Sequence, residues 1–557
     1  MESSTAQLWE EAGASLAVSL RKYLDLSVSF GTTSLKEGVP PKAIAAQIDA
    51  VLESLHTKIS GQIYQAQSTL TRTRNHLLSP IYRLPDEVLA EVFSNVIFPP
   101  PDLFDSASMT RSLVNMYRLL HNLASVSHMW RSVALSQGGL WSTVPIVHRD
   151  YSPFSFRFKQ ATNLSLTRAT HGDLYLAAIL DSGYRLISSL MKHASRFRTI
   201  NITAQSRYSI NSLLQSFLKL DSAKRLCELS LRSEAPPPKL NELILDKDHL
   251  FPLHSEDRKH FDKLIEPLSA VRICGVQIHW SQMVFSKQLV ELHLQDITLG
   301  YDAVMAALLG ALASATELRD LKLISVNTFI DMQMLDAPTA GPLILPKLET
   351  LLLQDLYNNT LTLVLPAITS RSHNLTLHLT RKCVQGNIPG HLEPEEIGID
   401  DLYDPIEHTP VHALLIDGDG HETWISPDEL ENIMSLMSDL VSLGMNSWVY
   451  TTSFCRALER PPRGFEGSYP KIEYMHFSWA RILNEQAFKQ MVASHEFLEE
   501  MKLGAAVPSG LEGPEGWIYL EDDAAIMRWL EQRVDIFLQM DYDHYQPEFL
   551  PPKWKLW

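Results

Sequence analysis

Cysteine is scarce in this chain of 557 residues, which has only four, at positions 227, 274, 383 and 455. No two of them form a Cys-x-x-Cys pair, so the short spacing that holds zinc or runs thiol redox chemistry is missing. We therefore expect reduced, buried thiols, no structural metal and no cofactor.

Long hydrophobic runs are missing as well. The best stretch, residues 303–315, is shorter than the roughly 18 to 20 apolar residues that a membrane span needs. The first residues have no basic segment, and Glu10, Glu11 and Arg21 interrupt their apolar character, which argues against a secretory signal. The expected location is the cytosol or the nucleus, without membrane contact.

Basic residues are in deficit. The chain has 48 Lys and Arg against 65 Asp and Glu, which gives a formal net charge of -17. Binding to a phosphate backbone needs clustered cations, so we expect no nucleic acid partner. Hydrophobic residues at 45% and charged residues at 20% are typical of a folded protein. The length favours roughly two to four structural units.

The common catalytic signatures are absent too, namely the P-loop, Gly-x-Gly-x-x-Gly, His-Glu-x-x-His and Gly-x-Ser-x-Gly. Residues 417–422 begin like an EF-hand loop, but the sixth position is not glycine, and a polar turn is the favoured interpretation. Cys455 and His476 lack a readable third member of a catalytic triad. We expect no enzyme, unless a deep pocket brings Asp, His or Cys side chains together.

The N-terminal region, residues 1–79, has helical periodicity. After Pro40-Pro41, apolar residues recur at three- and four-residue steps, at positions 44, 48, 51, 55 and 59. This spacing predicts one long helix from about residue 41 to residue 76. Two interpretations remain open, a helix that packs within its own domain and a coiled-coil dimer.

A second helical block begins with Leu-Pro-Asp-Glu at residues 84–87. The proline suits the first position of a helix, and the two acidic residues complement the helix dipole in the first turn. Residues 98–112 are predicted to form a loop, because prolines and polar residues begin it. Helical periodicity then returns at positions 113, 116, 119, 120, 123, 126 and 130.

Beyond about residue 150, short segments of the form apolar-x-x-apolar-x-apolar recur. Regular copies start at residues 226, 268, 289, 318 and 348, and less regular copies start at residues 161, 197, 411, 472 and 498. The central copies lie roughly 20 to 40 residues apart, which brackets one leucine-rich repeat. The motif predicts strands that stack side by side, each followed by a helix or an irregular stretch. Any alternating sheet produces so short a motif at times, and that alternative stays open.

Other segments of this region also carry signals. Residues 302–315 have helical composition, and Ser-Pro-Asp-Glu at residues 426–429 is a helix start that leads into apolar positions 430, 433, 436 and 440. Near the C-terminus, aromatic residues stand among acidic residues and prolines, at positions 542, 545, 549, 554 and 557. We interpret this segment as a cap on the open end of a repeat array or, alternatively, as a peptide that engages a partner.

The block that begins at residue 84 resembles the F-box. Residues 84–93 read Leu-Pro-Asp-Glu-Val-Leu-Ala-Glu-Val-Phe, similar to the family's Leu-Pro-x-Glu-(Ile/Val)-Leu opening. Residues 123–134 read Leu-Ala-Ser-Val-Ser-His-Met-Trp-Arg-Ser-Val-Ala, followed by Leu140-Trp141, similar to the family's Trp-Arg helix and terminal Leu-Trp. With divergent leucine-rich units behind it, the arrangement resembles the F-box-like families of mushroom-forming fungi. Two departures are the long loop at 98–112 and Ser127, where the family often has cysteine.

The resemblance implies a small helical bundle that binds a Skp-type adaptor and, through it, a cullin in an SCF-type ubiquitin ligase. Under that resemblance, the residues of the adaptor contact are Leu84, Pro85, Val88, Leu89, Val126 and Trp130. A purely structural bundle with Trp130 and Trp141 in its core is the alternative.

The sequence thus predicts an α/β chain in three parts. N-terminal helices occupy residues 1–79, a helical F-box-like bundle residues 80–145, and an irregular leucine-rich-repeat solenoid with a C-terminal cap residues 146–557. The expected function is non-catalytic, the recruitment of an unknown protein target to a ubiquitin ligase. A repeat scaffold that joins no ligase is the competing function.

Overall fold

The structure is a computed structural model that describes residues 4–78, 80–99, 108–148, 155–170, 172–181, 188–218, 225–236, 243–332, 341–368, 373–391, 393–418, 423–462, 469–509, 516–521, 524–542 and 549. The chain divides into two compact units, Met1–Glu91 and Val92–Trp557. The predicted division into three parts remains a prediction.

The first unit is helical. Its helices are α1 (Thr5–Lys36), α2 (Pro41–Val51), α3 (Thr57–Leu78) and the beginning of α4 (Asp86–Ile97). A reciprocal capping box between Ser4 and Gln7 starts α1, and Pro41 stands in the first turn of α2. A π-helical turn, Leu52–His56, joins α2 to α3, so the predicted long helix is confirmed with one irregular turn inside it.

The long helix has an intramolecular partner. Its residue His56 contacts α1, with Nε2 of the ring 3.2 Å from the hydroxyl of Tyr23. Among the described side chains of α1 to α3, only Ser34 and Ile44 are buried, and large apolar side chains such as Trp9 remain 57% exposed. This unit therefore has little core of its own, and the coiled-coil interpretation is not tested.

The second unit begins within α4 and continues with helices between strands. The further helices are α5 (Met109–Val126), α6 (His128–Ser136), α7 (Ser155–Arg168), α8 (Ser188–Met191), α9 (Arg207–Leu218), α10 (Glu256–Ile265), α11 (Asp302–Leu312), α12 (Asn358–Ala367), α13 (Tyr403–Glu407), α14 (Pro427–Leu436), α15 (Thr452–Ala457), α16 (Glu485–Ser494) and α17 (Ala525–Arg533). None of the helices in the described part of the chain combines the length and the apolar character that a membrane span needs.

The strands of this unit are β1 (Thr143–His148), β2 (Leu174–Leu180), β3 (Phe197–Ala204), β4 (Glu228–Ser233), β5 (Ala270–Cys274), β6 (Glu291–Tyr301), β7 (Asp320–Phe329), β8 (Thr350–Gln354), β9 (Asn374–Leu379), β10 (Gln385–Gly386), β11 (Glu395–Glu396), β12 (Val411–Asp417), β13 (Ser442–Asn446), β14 (Val449–Tyr450), β15 (Tyr474–Ile482), β16 (Glu500–Pro508), β17 (Trp517–Tyr519) and β18 (Ile536–Gln539). Among the described residues, 16 of these strands form one sheet in the order β1 to β9, β12, β13, β15, β16 and β17, with β14 on β15 and β18 on β16. The path is parallel up to β16, and β17 is antiparallel. The remaining strands, β10 and β11, form a separate pair.

The register of the sheet explains the repeated motif. Each strand places its motif residues beside those of the next, as in the row Leu229, Val271, Leu292, Leu321 and Leu351. These side chains are at most 2% exposed and share one core cluster with helix residues such as Leu213 and Leu214 of α9. Burying each leucine stabilises the fold by about 1.5 to 3 kcal/mol. The predicted α/β fold with stacked parallel strands is confirmed at this level.

The same bend occurs within β6, within β7 and directly after β8. Asp296, Ser325 and Asp355 occupy equivalent positions after the paired residues and have positive φ angles of 52°, 47° and 54°. Aspartate tolerates this left-handed conformation better than most residues. The Asp355 carboxylate also accepts hydrogen bonds from Ser325 and Thr380, at 2.6 and 2.8 Å. The hydrogen bonds at these bends thus tie neighbouring repeats together.

Three sequence-based boundaries need correction. The copy at residues 161–166 is not a strand but lies in α7, where its spacing also fits a buried helix face. Helix α14 ends at Leu436, and Leu440 instead begins another copy of the motif that leads into β13. In the predicted loop 98–112, α5 already starts at Met109 with Ser108 as its cap, while residues 100–107 lie outside the described part. The helix starting after Ser426 is confirmed, with the capping box formed by Glu429.

Candidate functional site

Helix α4 is apolar on two sides. Apolar residues stand in pairs at 88–89, 92–93 and 96–97, and a four-residue step aligns the members of each pair into two rows along the helix. One row is buried, at 0%, 0% and 1% exposure, and consists of Leu89, Phe93 and Ile97. The other row is 46%, 43% and 41% exposed and consists of Val88, Val92 and Val96. We call the second set the valine row.

The valine row is not what a helix that faces only water requires. Valine loses rotamer freedom in a helix, so its propensity is lower than that of Glu, Lys or Ala. Single exposed apolar side chains are common on protein surfaces, but three aligned on one helix form a contiguous stripe. Such a stripe is typical of a surface that a partner covers.

The residues predicted to contact an adaptor lie in different environments. Leu84 is 37% exposed and Pro85 is exposed, directly before α4, and Val126 is 60% exposed at the last position of α5. Leu89 is fully buried, so its side chain serves the interior and has no accessible surface for a partner. Trp130 is half-buried and packs on Phe93, with ring centroids 5.0 Å apart. The adaptor contact itself stays a prediction.

Ser127 divides the predicted helix into α5 and α6. It ends α5 in an extended conformation, and its hydroxyl accepts a hydrogen bond at 3.2 Å from the backbone N–H of Trp130. A second hydrogen bond, from Nε of Arg131 to the carbonyl of Ala124 at 2.9 Å, connects α6 to α5 across this junction. Serine is a favoured N-cap residue, so here it orients the tryptophan where the resembled family often has cysteine.

The repeats present a polar face opposite the leucine core. Residues alternate along a strand, so the position between two core leucines points away from the helices. In register, these positions form the row Asn201, Ser230, Arg272, His293 and Lys322. We call the face that carries this row, and its continuation onto the later strands, the open face. Four residues of the row, Asn201, Ser230, Arg272 and His293, are at most 7% exposed, and Lys322 is half-buried.

Arg272 is the buried centre of the open face. Its side chain donates from Nε to Glu291 at 2.8 Å and from a terminal nitrogen to Glu228 at 3.1 Å. Burial lowers the pKa of the Arg272 guanidinium, but the hydrogen bonds and charges of the two glutamates outweigh it and raise that pKa above its usual value. The charge is therefore retained at 7% exposure of the residue.

Phe549 also lies on the open face. Phe549 is 3% exposed and meets the His378 ring edge to face, with centroids 5.4 Å apart. The side-chain amide of Gln354 donates to the Phe549 carbonyl at 3.5 Å. A Cβ built on Gly444 would lie 2.6 Å from Cδ2 of Leu415 and 3.3 Å from the end of the Phe549 ring, so glycine leaves room for both side chains. We call Gln354, His378 and Gly444 the Phe549 seat.

Asp541 and Tyr542 contact the last strands. The Tyr542 ring packs on Tyr519 and Trp479, with centroids 4.8 and 5.2 Å apart. A Cβ built on Gly504 of β16 would lie 2.8 Å from the carbonyl oxygen of Asp541, so the backbones approach closely there. Tyr542 thus lies beside β15 and β17, whereas Phe549 lies over β8, β9 and β13, and the choice between a cap and a partner-binding peptide is not tested. Positions 545, 554 and 557 lie outside the described residues.

A histidine cluster not anticipated from the sequence is the strongest candidate for metal binding in the described chain. Asp246, His249 and His279 each offer one ligand atom, all within 4.8 Å of one another, beside a cavity of about 480 Å³. Burial first, and then the neighbouring His279, lowers the pKa of His249 to about 4. However, the two rings stack 3.6 Å apart, closer than two imidazoles that point at one tetrahedral ion. The nearby Arg258 cation also lowers the pKa of both histidines. The observed arrangement therefore opposes metal binding.

The cysteines offer no activated nucleophile. All four are free, and Cys274, Cys383 and Cys455 are buried as expected, whereas Cys227 is half-buried. Burial raises the pKa of the Cys274 and Cys455 thiols to about 12, so neither is a thiolate at neutral pH. Of the EF-hand-like segment, residues 419–422 lie outside the described part, and Asp417 accepts a hydrogen bond from Asn446 at 2.7 Å.

The sheet and its register define the class as an α/β repeat protein with parallel, leucine-rich strands behind an N-terminal helical region. No protein-family model matches the chain, and no curated protein matches it. Among solved structures, a chain of the Rad7 and Elc1 complex in yeast is 13% identical, with 84% of this chain and 97% of that chain covered and a TM-score of 0.31. A chain of the TLR13–ssRNA13 complex is 11% identical, with 61% and 42% covered and a TM-score of 0.28. At such TM-scores neither likeness bears on function, so the class rests on the sheet itself.

Proposed function

We propose that this chain is the substrate-recruiting subunit of an SCF-type ubiquitin ligase. The F-box-like block at residues 80–145 binds a Skp-type adaptor, which joins a cullin, and the open face of the repeats binds a protein target. The chain itself is non-catalytic in this role. The observation that carries the proposal is the valine row, which follows the Leu-Pro start of the F-box-like sequence and is exposed in the described part of the chain.

The chemistry of the valine row fits a helix-in-groove contact. Three valines at four-residue steps present a narrow apolar stripe, which is the pattern by which a helix enters a hydrophobic groove. Each exposes nearly half of its surface, so covering it contributes on the order of 1 kcal/mol. Leu84 and Val126 are also exposed and add apolar surface to the proposed contact. Leu89 has no part in it, because its side chain is buried.

Glutamate substitutions in the valine row test the adaptor contact. The triple variant Val88→Glu, Val92→Glu, Val96→Glu is expected to weaken capture of a purified Skp-type adaptor at least about 100-fold, since three charges would be buried without partners. Capture is measured by surface plasmon resonance with the full chain. The substituted side chains are exposed, so the variant is expected to keep the circular dichroism spectrum of the parent.

A matched control changes three exposed apolar residues of the repeats. Val284, Met332 and Ile344 are 58%, 72% and 68% exposed, and their triple glutamate variant is expected to capture the adaptor like the parent. A Leu84→Ala, Pro85→Ala variant is expected to show an intermediate loss. Absence of capture by the intact chain would contradict the ligase proposal and favour the repeat scaffold that joins no ligase.

A further inference from the structure

The Phe549 seat has the features of a binding pocket rather than of a core. Its members come from β8, β9 and β13, and His378 and Gly444 each lie in the interior of a strand on the open face. A glycine inside a strand weakens it and is typical of a place where another group approaches closely. Here the nearest groups are the Leu415 side chain, with Cδ2 at 2.6 Å, and the Phe549 ring, at 3.3 Å.

The contacts of Phe549 are weak enough for another aromatic residue to replace it in the seat. The one hydrogen bond between the seat and the Phe549 backbone is 3.5 Å long, at the limit of such bonds. Neither ring nitrogen of His378 has a hydrogen-bond partner among the described residues, so covering this ring has a desolvation cost. Burial lowers the pKa of His378 to about 4, which keeps the ring neutral beneath the phenyl group. Among the described residues, the contacts of Phe549 are therefore mainly ring packing.

We infer that the Phe549 seat is a docking pocket for an aromatic side chain of the target, and that Phe549 occupies the pocket in the free protein. The inference rests on the proposed function, because it assigns part of the target-binding surface to the open face. Phe549 stands in for the target residue, since it shows the size and orientation of the ring that the seat accepts. Displacement requires the target to compete with a tethered ligand, whose effective concentration is high.

A peptide that carries the chain's own sequence is the probe. A fluorescent nonapeptide with the sequence of residues 545–553, Tyr-Gln-Pro-Glu-Phe-Leu-Pro-Pro-Lys, is titrated with the full chain and with its Phe549→Ala variant, and anisotropy is measured. We expect binding at least ten-fold tighter to the variant, whose seat is vacant. A peptide with alanine in place of its phenylalanine is expected to bind neither protein.

Two further variants separate the seat from the rest of the surface. Adding Gly444→Val to the Phe549→Ala variant fills the seat and is expected to abolish peptide binding. Phe497→Ala removes a 41% exposed phenylalanine elsewhere and is expected to leave the peptide affinity of the intact chain unchanged. Equal binding to the intact chain and to Phe549→Ala would overturn the inference. Unfolding of Phe549→Ala would overturn it too, because an exchangeable occupant is not required for folding.

The assay contains no adaptor, so its outcome is independent of the ligase proposal. Peptide binding to Phe549→Ala together with absent adaptor capture would keep the docking pocket and reject the ligase. Adaptor capture with equal peptide binding to both proteins would reject the pocket and keep the ligase.

Discussion

Replacing Arg272 by alanine is expected to lower the free energy of unfolding of the second unit, which carries the repeats, by about 3 to 5 kcal/mol. The substitution leaves the Glu291 carboxylate, in a residue only 9% exposed, without the cation that it contacts at 2.8 Å. A carboxylate so poorly hydrated depends on that cation for its stabilisation, so its removal is costly. The measurement is urea unfolding at neutral pH, followed by circular dichroism, with the midpoint and slope compared to those of the parent.

The matched control for Arg272 is a solvent-exposed arginine of β3. Arg198 lies 3.4 Å from Asp173, but its side chain is 52% exposed, so Arg198→Ala is expected to cost only about 0 to 1 kcal/mol. The double variant Arg272→Met, Glu291→Met is expected to regain most of the lost stability, because it removes both charges. Similar losses for Arg272→Ala and Arg198→Ala would contradict the importance of burial.

The leucine-rich register was predictable because the motif acts locally and repeatedly. Leu229, Val271 and Leu292 occupy the same place in successive copies, and the parallel sheet pairs them directly. A single copy carries less information. At residues 161–166 the spacing fits a helix face equally well, and Leu440 continues the helical steps of α14 while it also begins a strand motif. Where both periodicities fit, the packing of the neighbouring repeat decides.

The candidate sites were only partly predictable from the sequence. The apolar pairs of α4 identify two rows, but which row is buried depends on the helices that pack against it, so Leu89 and Val88 look equivalent in the sequence. The Phe549 seat joins positions 195 residues apart, Gln354 and Phe549, without any local signal except a glycine within a strand. Contacts of that separation depend on how many repeats lie between them.

Buried histidines make the stability of the second unit sensitive to acid. Burial is the largest cause that lowers the pKa of His293, His378 and His495, each to about 4, while an unfolded histidine titrates near 6.5. Between these values the unfolded chain binds a proton at each position and the folded chain does not, so the free energy of unfolding falls as the pH decreases from about 6.5 to about 4. Above that window these groups are neutral in both states and add no slope. The loss reaches about 3 kcal/mol per histidine at the lower limit, enough in sum to unfold a marginally stable domain.

The variant His495→Gln removes proton uptake at one of these three histidines. The glutamine amide retains a donor for the Leu458 carbonyl, which Nε2 of His495 contacts at 2.9 Å, but it has no proton to gain in this range. Urea unfolding at pH 7.5, 6, 5 and 4.5 is expected to show a pH slope smaller by up to about 1.4 kcal/mol per unit than in the parent. His408→Gln, which changes a histidine whose side chain is 69% exposed, is the control and is expected to keep the parental slope. If His495→Gln retained the full slope, proton uptake at this buried ring would not contribute to the acid sensitivity.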